Sequence, residues 1–123
     1  MAEDVDPELE ATVRRMYEHF NARRIDDVIA LMHADVDWPN ALEGTRIAGH
    51  DAVREYWLWQ FGQFDPRVEP IGFEALADGR LRVRVDQSLH DLEGDLIGQG
   101  EVFHDYAFRD GLIERMDVVA AEE

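Results

Sequence analysis

The sequence of 123 residues contains no cysteine and no lysine. Its twelve basic residues are all arginine. Without cysteine, the chain cannot form a disulfide, a thiolate metal site or a cysteine nucleophile. Without lysine, it cannot form a Schiff base or use a lysine as general base. The sequence also lacks a run of about 18 apolar residues, and its acidic start has no apolar signal-peptide region. We therefore expect a cytoplasmic protein that does not enter the membrane.

Basic charge is scarce as well, and the formal net charge is -16. Such a chain repels the phosphate backbone of nucleic acids, so we expect no nucleic-acid partner. Hydrophobic residues make up 46% and charged residues 33% of the sequence, which is typical of a folded globular protein. The length and the absence of linkers or repeats predict a single domain over residues 1–123.

Three segments in the first half have the periodicity of amphipathic helices. The first covers residues 7 to about 22, with Asp6 as its expected cap and Pro7 in its first turn. The second is short and covers about 25 to 33. The third is the segment HDAVREYWLWQFGQF, residues 50–64.

The remaining segments alternate apolar and polar residues, which indicates strands. ADVDWP predicts a half-buried strand that Pro39 ends or marks as an edge, and GTRIAG predicts a loop with a brief extended piece. After the third helix, four strands follow, joined by the turn sequences ADGR, DLEGD and RDG. Helices early and a strand meander late predict an α+β domain. A strongly curved, mostly antiparallel sheet would wrap around the three helices as a cone and leave a cavity.

Three segments carry a resemblance to a known superfamily: FNARRIDDVIALMHADVDW at 20–38, IAGHDAVREYW at 47–57 and FHDYAFRDGLIERMDV at 103–118. They resemble the nuclear transport factor 2-like superfamily, and its SnoaL-like and ketosteroid-isomerase-like branches in particular. With the strands between them, these segments cover nearly the whole chain. The resemblance implies the cone fold but not one function, because this fold hosts isomerases, cyclases, dehydratases, epoxide hydrolases and non-enzymatic binders.

The resemblance argues against steroid isomerase chemistry. An ungapped match places Met16 where the isomerase has its oxyanion-donating tyrosine, and Tyr17 would point about 100° away around the helix. The general-base aspartate falls on Asn40, whose amide cannot abstract a proton near neutral pH. The protonated aspartate of the isomerase falls on His104. Asp37 could serve as the base only with a shifted register, because it faces the opposite side of the strand from Trp38.

Other branches offer partial parallels. Asp117 resembles an acid that the cyclase branch supplies from a late strand, but alternation with Met116 predicts that it faces outward. Scytalone dehydratase uses paired histidines and aromatic hydroxyls, and His90, His104 and Tyr106 are residues of these types. The spacing does not identify them as a site, and alternation places His90 on the outer face.

His104 and Tyr106 share one face of a strand, about 7 Å apart, so an imidazole and a phenol would line the cavity together. An imidazole is suited to proton transfer near pH 7, which makes His104 the candidate catalytic residue. The alternative is a buried, hydrogen-bonded histidine that shapes the core. Gln87 is a polar residue in an otherwise apolar inner row, so it is a candidate ligand contact.

Four further residues are candidates for the pocket wall, each with a structural alternative. Trp38 shares its face with Asn40, which could anchor a ligand or close an Asx turn. Tyr56 and Trp57 lie on the apolar stripe of the third helix and could equally be core residues. The expected ligand contacts are therefore Trp38, Asn40, Tyr56, Trp57, Gln87 and Tyr106.

Three functional hypotheses remain open. The first is a mostly apolar pocket that binds a small organic molecule, and the second is an acid–base enzyme for cyclisation, isomerisation or dehydration that uses His104. The third is a non-catalytic interaction module. No histidine–carboxylate motif has metal-ligand spacing, so we expect neither a metal nor another cofactor. Leu58 and Trp59 lie off the apolar stripe of their helix, and relatives of this fold commonly dimerise, so we expect a homodimer.

Overall fold

A computed structural model describes residues 5–40 and 44–120 of the chain. Within these residues, no helix is long and apolar enough to cross a membrane. Two helices are followed by two strands, a third helix and four long strands. The elements are α1 Pro7–Asn21, α2 Ile25–Ile29, β1 Met32–Asn40, β2 Thr45–Ala48, α3 His50–Phe61, β3 Phe64–Ala75, β4 Leu81–Asp91, β5 Leu96–Arg109 and β6 Leu112–Ala120.

The strands form one sheet in the order β2-β1-β6-β5-β4-β3. Only the β1–β6 pair is parallel, and every other neighbouring pair in this sheet is antiparallel. The sheet is curved and does not close, and the helices pack against its concave side. The predicted α+β cone with a mostly antiparallel sheet is therefore confirmed.

Helix α1 begins as the sequence predicts. Asp6 accepts a hydrogen bond from the backbone N–H of Glu8 at 2.9 Å, and Pro7 occupies the first turn. Such a cap satisfies a backbone donor that the helix leaves unpaired. The buried face of α1 presents Met16 and Tyr17 to the interior of the cone.

Helix α2 is shorter than predicted, because it ends at Ile29 and not at residue 33. The following residues are drawn into the sheet. Met32 is paired with Ile113 of β6, and the Ile113 N–H donates to the Leu31 carbonyl at 3.0 Å. Hydrophobic periodicity cannot distinguish the end of a short helix from the start of a buried strand, so the prediction carried the helix too far.

Helix α3 also ends earlier than predicted, at Phe61. The backbone N–H of Gly62 closes the helix by donating to carbonyls of its last turn. Strand β3 then starts at Phe64, which pairs with Asp91 at the end of β4. Long-range strand pairing again sets this boundary.

The prolines occupy positions that follow from their missing N–H group. Pro66 and Pro70 lie in β3, which is an edge strand, and a register shift follows Pro70. Pro39 was expected to end its strand or mark an edge. The strand instead continues to Asn40, because β2 pairs with it there and places Arg46 opposite Pro39.

The outer face of the sheet carries an ion-pair network, and this network explains why the Asp37 side chain faces outward. Arg46 contacts the Asp37 carboxylate at 2.6 Å and the Asp117 carboxylate at 3.1 Å. Arg115 contacts the same two acids, each at 2.9 Å. Asp37 and Asp117 are therefore outward-facing partners of arginines, as strand alternation predicts, and they lie outside the concave interior.

Candidate functional site

The candidate site is a cavity of about 500 Å³ between the concave face of the sheet and helices α1 and α3. Its lining is mostly apolar. The closed end is formed by the buried residues Tyr17, His104 and Tyr106, and the mouth by the more exposed Gly98, Gly100, Glu101 and Val118.

The closed end holds three polar side chains in mutual contact. The Tyr17 hydroxyl oxygen lies 3.0 Å from His104 Nδ1 and 2.6 Å from the Tyr106 hydroxyl oxygen. The Tyr106 hydroxyl oxygen lies 3.4 Å from the same imidazole nitrogen. His104 is only 6% exposed and Tyr106 is fully buried, so these groups are paired with one another in a largely water-free environment.

Strand β5 positions two of these groups through its period of two. Its inner row continues from the mouth to the closed end as Gly98, Gly100, Val102, His104 and Tyr106. The first two residues have no side chain, and a Cβ added at either position would meet nothing within 4 Å. The row therefore changes from glycine to bulky residues, and the glycines leave the space that becomes the cavity.

Tyr17 belongs to the closed end of the cavity but was not among the site residues predicted from the sequence. The resemblance to the isomerase directed attention to Met16, and Tyr17 was expected to point away. The structure places both side chains on the cavity lining, and both are buried. The curved sheet surrounds a wide arc of α1, so two adjacent helical positions can face the interior. The spacing of Tyr17 four residues after the buried Val13 was the available signal.

Burial sets the protonation states at the closed end. Desolvation lowers the pKa of His104 from 6.5 to about 4, and the nearby charge of Asp105 opposes this shift only in part. Desolvation also raises the pKa of Tyr17 and of Tyr106 above the ordinary value of 10. Near pH 7 the imidazole and both phenols are therefore neutral. The closed end therefore offers hydrogen bonds but no charge.

Aromatic rings form the wall beside this polar cluster. Trp38 of β1 and Trp57 of α3 meet edge to face with their ring centroids 5.3 Å apart. Phe20 of α1 packs edge-on against Trp57 at 5.7 Å, and Trp38 lies 6.4 Å from Tyr106. These contacts build an apolar aromatic wall, as in small-molecule sites generally.

Most of the side chains singled out from the sequence line this cavity, and Asn40 does not. The adjacent Pro39 lines it instead. Asn40 ends β1 opposite Thr45, and its carbonyl accepts the Gly44 N–H at 2.9 Å, so this residue serves the β1–β2 connection. The residues from the predicted set that line the cavity are Trp38, Tyr56, Trp57, Gln87, His104 and Tyr106.

A histidine and a group of three carboxylates, residue types that often take part in catalysis or metal binding, lie outside the cavity. His90 is outside the cavity lining, next to a register shift between β4 and β5. The carboxylates of Asp91, Glu93 and Asp95 come within 4.8 Å of one another in the β4–β5 turn. One Asp91 oxygen accepts the backbone N–H groups of Glu93 and Asp95, each at 2.9 Å, so it closes the turn.

The cone of curved sheet and helices, with a cavity of ligand size inside it, defines a nuclear transport factor 2-like protein. The chain belongs to the SnoaL-like domain family, which matches residues 13–116. Among known proteins, it is similar to aklanonic acid methyl ester cyclase AcmA from Streptomyces galilaeus. The identity is 32%, and the match covers 84% of this chain and 77% of that protein.

Solved structures support the same fold. The chain is similar to TerC co-crystallised with polyporic acid, at 23% identity and a TM-score of 0.78 over 92% of this chain and 91% of that one. It is also similar to an NTF2-like protein of unknown function from Burkholderia pseudomallei. There the identity is 22% and the TM-score 0.80, over 94% of this chain and 92% of that one.

Proposed function

We propose that this protein binds a small, mainly apolar organic molecule in the cavity between the sheet and helices α1 and α3. The observation that carries the proposal is the cavity itself, which has a volume of about 500 Å³ and a mostly apolar lining. Ligand sites typically measure roughly 300–1,000 Å³ and combine apolar walls with a few polar groups. The polar trio at the closed end supplies such groups.

The distribution of charge favours a neutral ligand. Among residues 5–40 and 44–120, the charged side chains that line the cavity are Arg67 and Glu101, and the closed end holds the neutral groups of Tyr17, His104 and Tyr106. Burying an unpaired ionic group costs much free energy. The preferred ligand therefore has an apolar body and an uncharged polar group at the end that enters first.

A substitution at Gly100 tests the proposal, because a side chain there would project into the cavity without an existing neighbour to displace. Gly100→Phe should keep the fold and reduce or abolish ligand binding. The measurement is the increase in melting temperature caused by a panel of aromatic ketones, phenols and hydrocarbons. A ligand that binds only the folded state raises the melting temperature by mass action.

The matched control is Gly72→Phe on the outer face of β3, where an added Cβ would make only an ordinary contact of 3.8 Å with the Cβ of Arg84. This variant should keep the thermal shifts of the wild type. Equal shifts in the Gly100 variant would show that the ligands bind outside the cavity. If no compound stabilises the wild type, the remaining hypothesis is the non-catalytic interaction module.

A second candidate function is catalysis of a ring closure on the bound molecule. The relative AcmA is a cyclase, and the closed end places polar hydrogen-bonding groups against an apolar wall. Incubating the protein with linear polycarbonyl compounds should then yield a cyclised product. An intramolecular addition changes the chromatographic retention and the absorption spectrum without changing the mass. Identical product profiles for wild type and Gly100→Phe would argue against catalysis in the cavity.

A further inference from the structure

The side-chain amide of Gln87 is a polar group of the cavity wall that other side chains leave unused. Gln87 lies in the inner row of β4 after the buried Val83 and Val85, and it lines the cavity. Among residues 5–40 and 44–120, its amide makes no hydrogen bond and is not one of the buried polar groups without a partner. The amide is therefore accessible from the cavity, to which it offers donors and an acceptor.

Strand pairing places Gln87 at the mouth of the cavity. It lies opposite Gly100 of β5 on one side and opposite Val68 of β3 on the other. Gly100 has no side chain, and a Cβ added there would meet nothing within 4 Å. The space on this side of the amide is therefore open, and a molecule in the cavity can reach the amide without displacing a side chain of β5.

Gln87 lies far from the polar groups of the closed end. His104 is paired with Val83, and Gln87 follows Val83 by four residues along β4. Since a strand rises about 3.3 Å per residue, the two polar positions are about 13 Å apart along the sheet. Val85 and Val102 pair with each other between them. The sheet wall of the cavity is therefore polar at both ends and apolar in the middle.

The chemistry of the mouth favours a hydroxyl group as the partner of Gln87. Arg67 and Glu101 also line the cavity, but Arg67 contacts Asp65 at 3.5 Å and Glu101 contacts Arg84 at 2.6 Å. The Gln87 amide is neutral and can both donate and accept. A hydroxyl can use both capacities, because it also donates and accepts, and it leaves no buried polar group unpaired.

We propose that the ligand is an elongated molecule with a polar group at each end, and that Gln87 binds a terminal hydroxyl group at the mouth. This inference rests on the proposed function and names the ligand class for it: a rigid apolar body whose two polar ends match the two polar positions of the wall. The cavity then selects its ligand by length as well as by polarity. A molecule with all its polar groups at one end can satisfy only one of the two positions.

Two isomeric diols, 4,4′-biphenol and 4-phenylcatechol, test the contact with Gln87. They share a biphenyl body, but 4,4′-biphenol has one hydroxyl at each end and 4-phenylcatechol has both at the same end. Isothermal titration calorimetry gives both dissociation constants for wild type and for Gln87→Met, which keeps the side-chain length and removes the amide. The wild type should bind 4,4′-biphenol more tightly. In the variant, this preference should fall by about threefold to tenfold, which corresponds to one hydrogen bond.

The matched control is Gln63→Met, which removes the amide of a glutamine outside the cavity lining. This variant should keep the wild-type preference for 4,4′-biphenol. The same preference in wild type and Gln87→Met would overturn the inference.

A second measurement needs no substitution and so does not depend on whether Gln87→Met folds. In ¹H–¹⁵N correlation spectra, the side-chain NH₂ signals of Gln87 should shift when 4,4′-biphenol is added. They should shift less with 4-phenylcatechol at equal saturation, because that isomer places no hydroxyl at the mouth when its polar end occupies the closed end. Equal shifts with both diols, or none with 4,4′-biphenol, would contradict the contact.

The outcomes separate this inference from the proposed function. If Gly100→Phe abolishes binding of both diols but Gln87→Met leaves their ratio unchanged, the cavity remains the binding site and the second polar contact is overturned. If both diols bind Gly100→Phe as well as wild type, the cavity site and the Gln87 contact are contradicted together. If neither diol binds the wild type, this inference fails, and the wider compound panel still tests the cavity.

Discussion

The Nδ1 atom of His104 lies 3.0 Å from the hydroxyl oxygen of Tyr17, a residue 87 positions earlier in the chain. This contact joins helix α1 to strand β5 in the interior of the cone. It also gives a buried imidazole the orienting partner that a functional histidine requires. The pair lies at the closed end of the cavity, which is the polar end of the proposed ligand site.

The pH dependence of folding should report the burial of His104. Its pKa is lowered to about 4, whereas a histidine in an unfolded chain has a pKa near 6.5. The unfolded chain therefore binds a proton more readily, and the free energy of unfolding should fall as the pH drops from about 6.5 to about 4. The largest loss is roughly 3 kcal/mol.

The measurement is chemical denaturation of wild type and His104→Gln across this pH range. The variant lacks the titrating group, so its unfolding free energy should depend less steeply on pH. The groups that contact the imidazole are the Tyr17 and Tyr106 hydroxyls, and Asp105 is the nearby carboxylate. His33→Gln, outside the cavity, is the control. Parallel curves for wild type and His104→Gln would contradict the prediction.

The two tyrosines of the closed end should contribute unequally to stability. Tyr17 contacts both His104 and Tyr106, so Tyr17→Phe leaves two buried polar partners without their central group. We expect a loss of about 1–3 kcal/mol in the free energy of unfolding. Tyr106→Phe keeps the contact between Tyr17 and His104 and should cost less, about 1 kcal/mol. Urea denaturation at pH 7 gives both values, and the opposite order would contradict the described network.

The Arg82–Asp105 ion pair should contribute far more to the free energy of unfolding than the neighbouring Arg84–Glu101 ion pair. Asp105 is 1% exposed and receives two hydrogen bonds of 2.8 Å from Arg82. Arg82→Met would remove both short hydrogen bonds and leave this buried carboxylate only the 4.0 Å contact with Arg80, at a cost of about 3 kcal/mol. Arg84 pairs with Glu101 at an exposed position, and both arginines lie over Phe103.

Arg84→Met is therefore the matched control, with an expected cost of less than about 1 kcal/mol. Thermal or urea unfolding of the two variants at pH 7 provides the comparison. If both variants lose a similar amount of unfolding free energy, the Asp105 carboxylate does not need Arg82 to be stable in its buried position.

The homodimer expected from the sequence stays a prediction. Leu58 and Trp59 are 58% and 53% exposed on α3, which is unusual for such large apolar side chains. Size-exclusion chromatography with light scattering at micromolar concentration should report about twice the mass of one chain. Trp59→Glu should lower that mass if the patch lies in the interface. A monomeric wild type would contradict the expectation.

The sequence alone predicted the order of the helices and long strands, and the face of the sheet on which several side chains lie, but it predicted a loop with a brief extended piece where strand β2 forms. Alternation along β5 placed His104 and Tyr106 on one face, and alternation along β6 placed Asp117 on the other. These are local properties, because the side-chain direction in a strand has a period of two whatever the partner is. The family resemblance supplied the arrangement of sheet and helices, which local periodicity cannot provide.

Only the tertiary structure decided what the residues meet. Helix α2 and helix α3 end where the next segment enters the sheet, and pairing with β6 and β4 sets those points. The environment of Tyr17 depends on how far the sheet curves around α1, and that curvature is a collective property of the six strands. The contact between Tyr17 and His104 therefore follows from the fold and cannot be read from either segment alone.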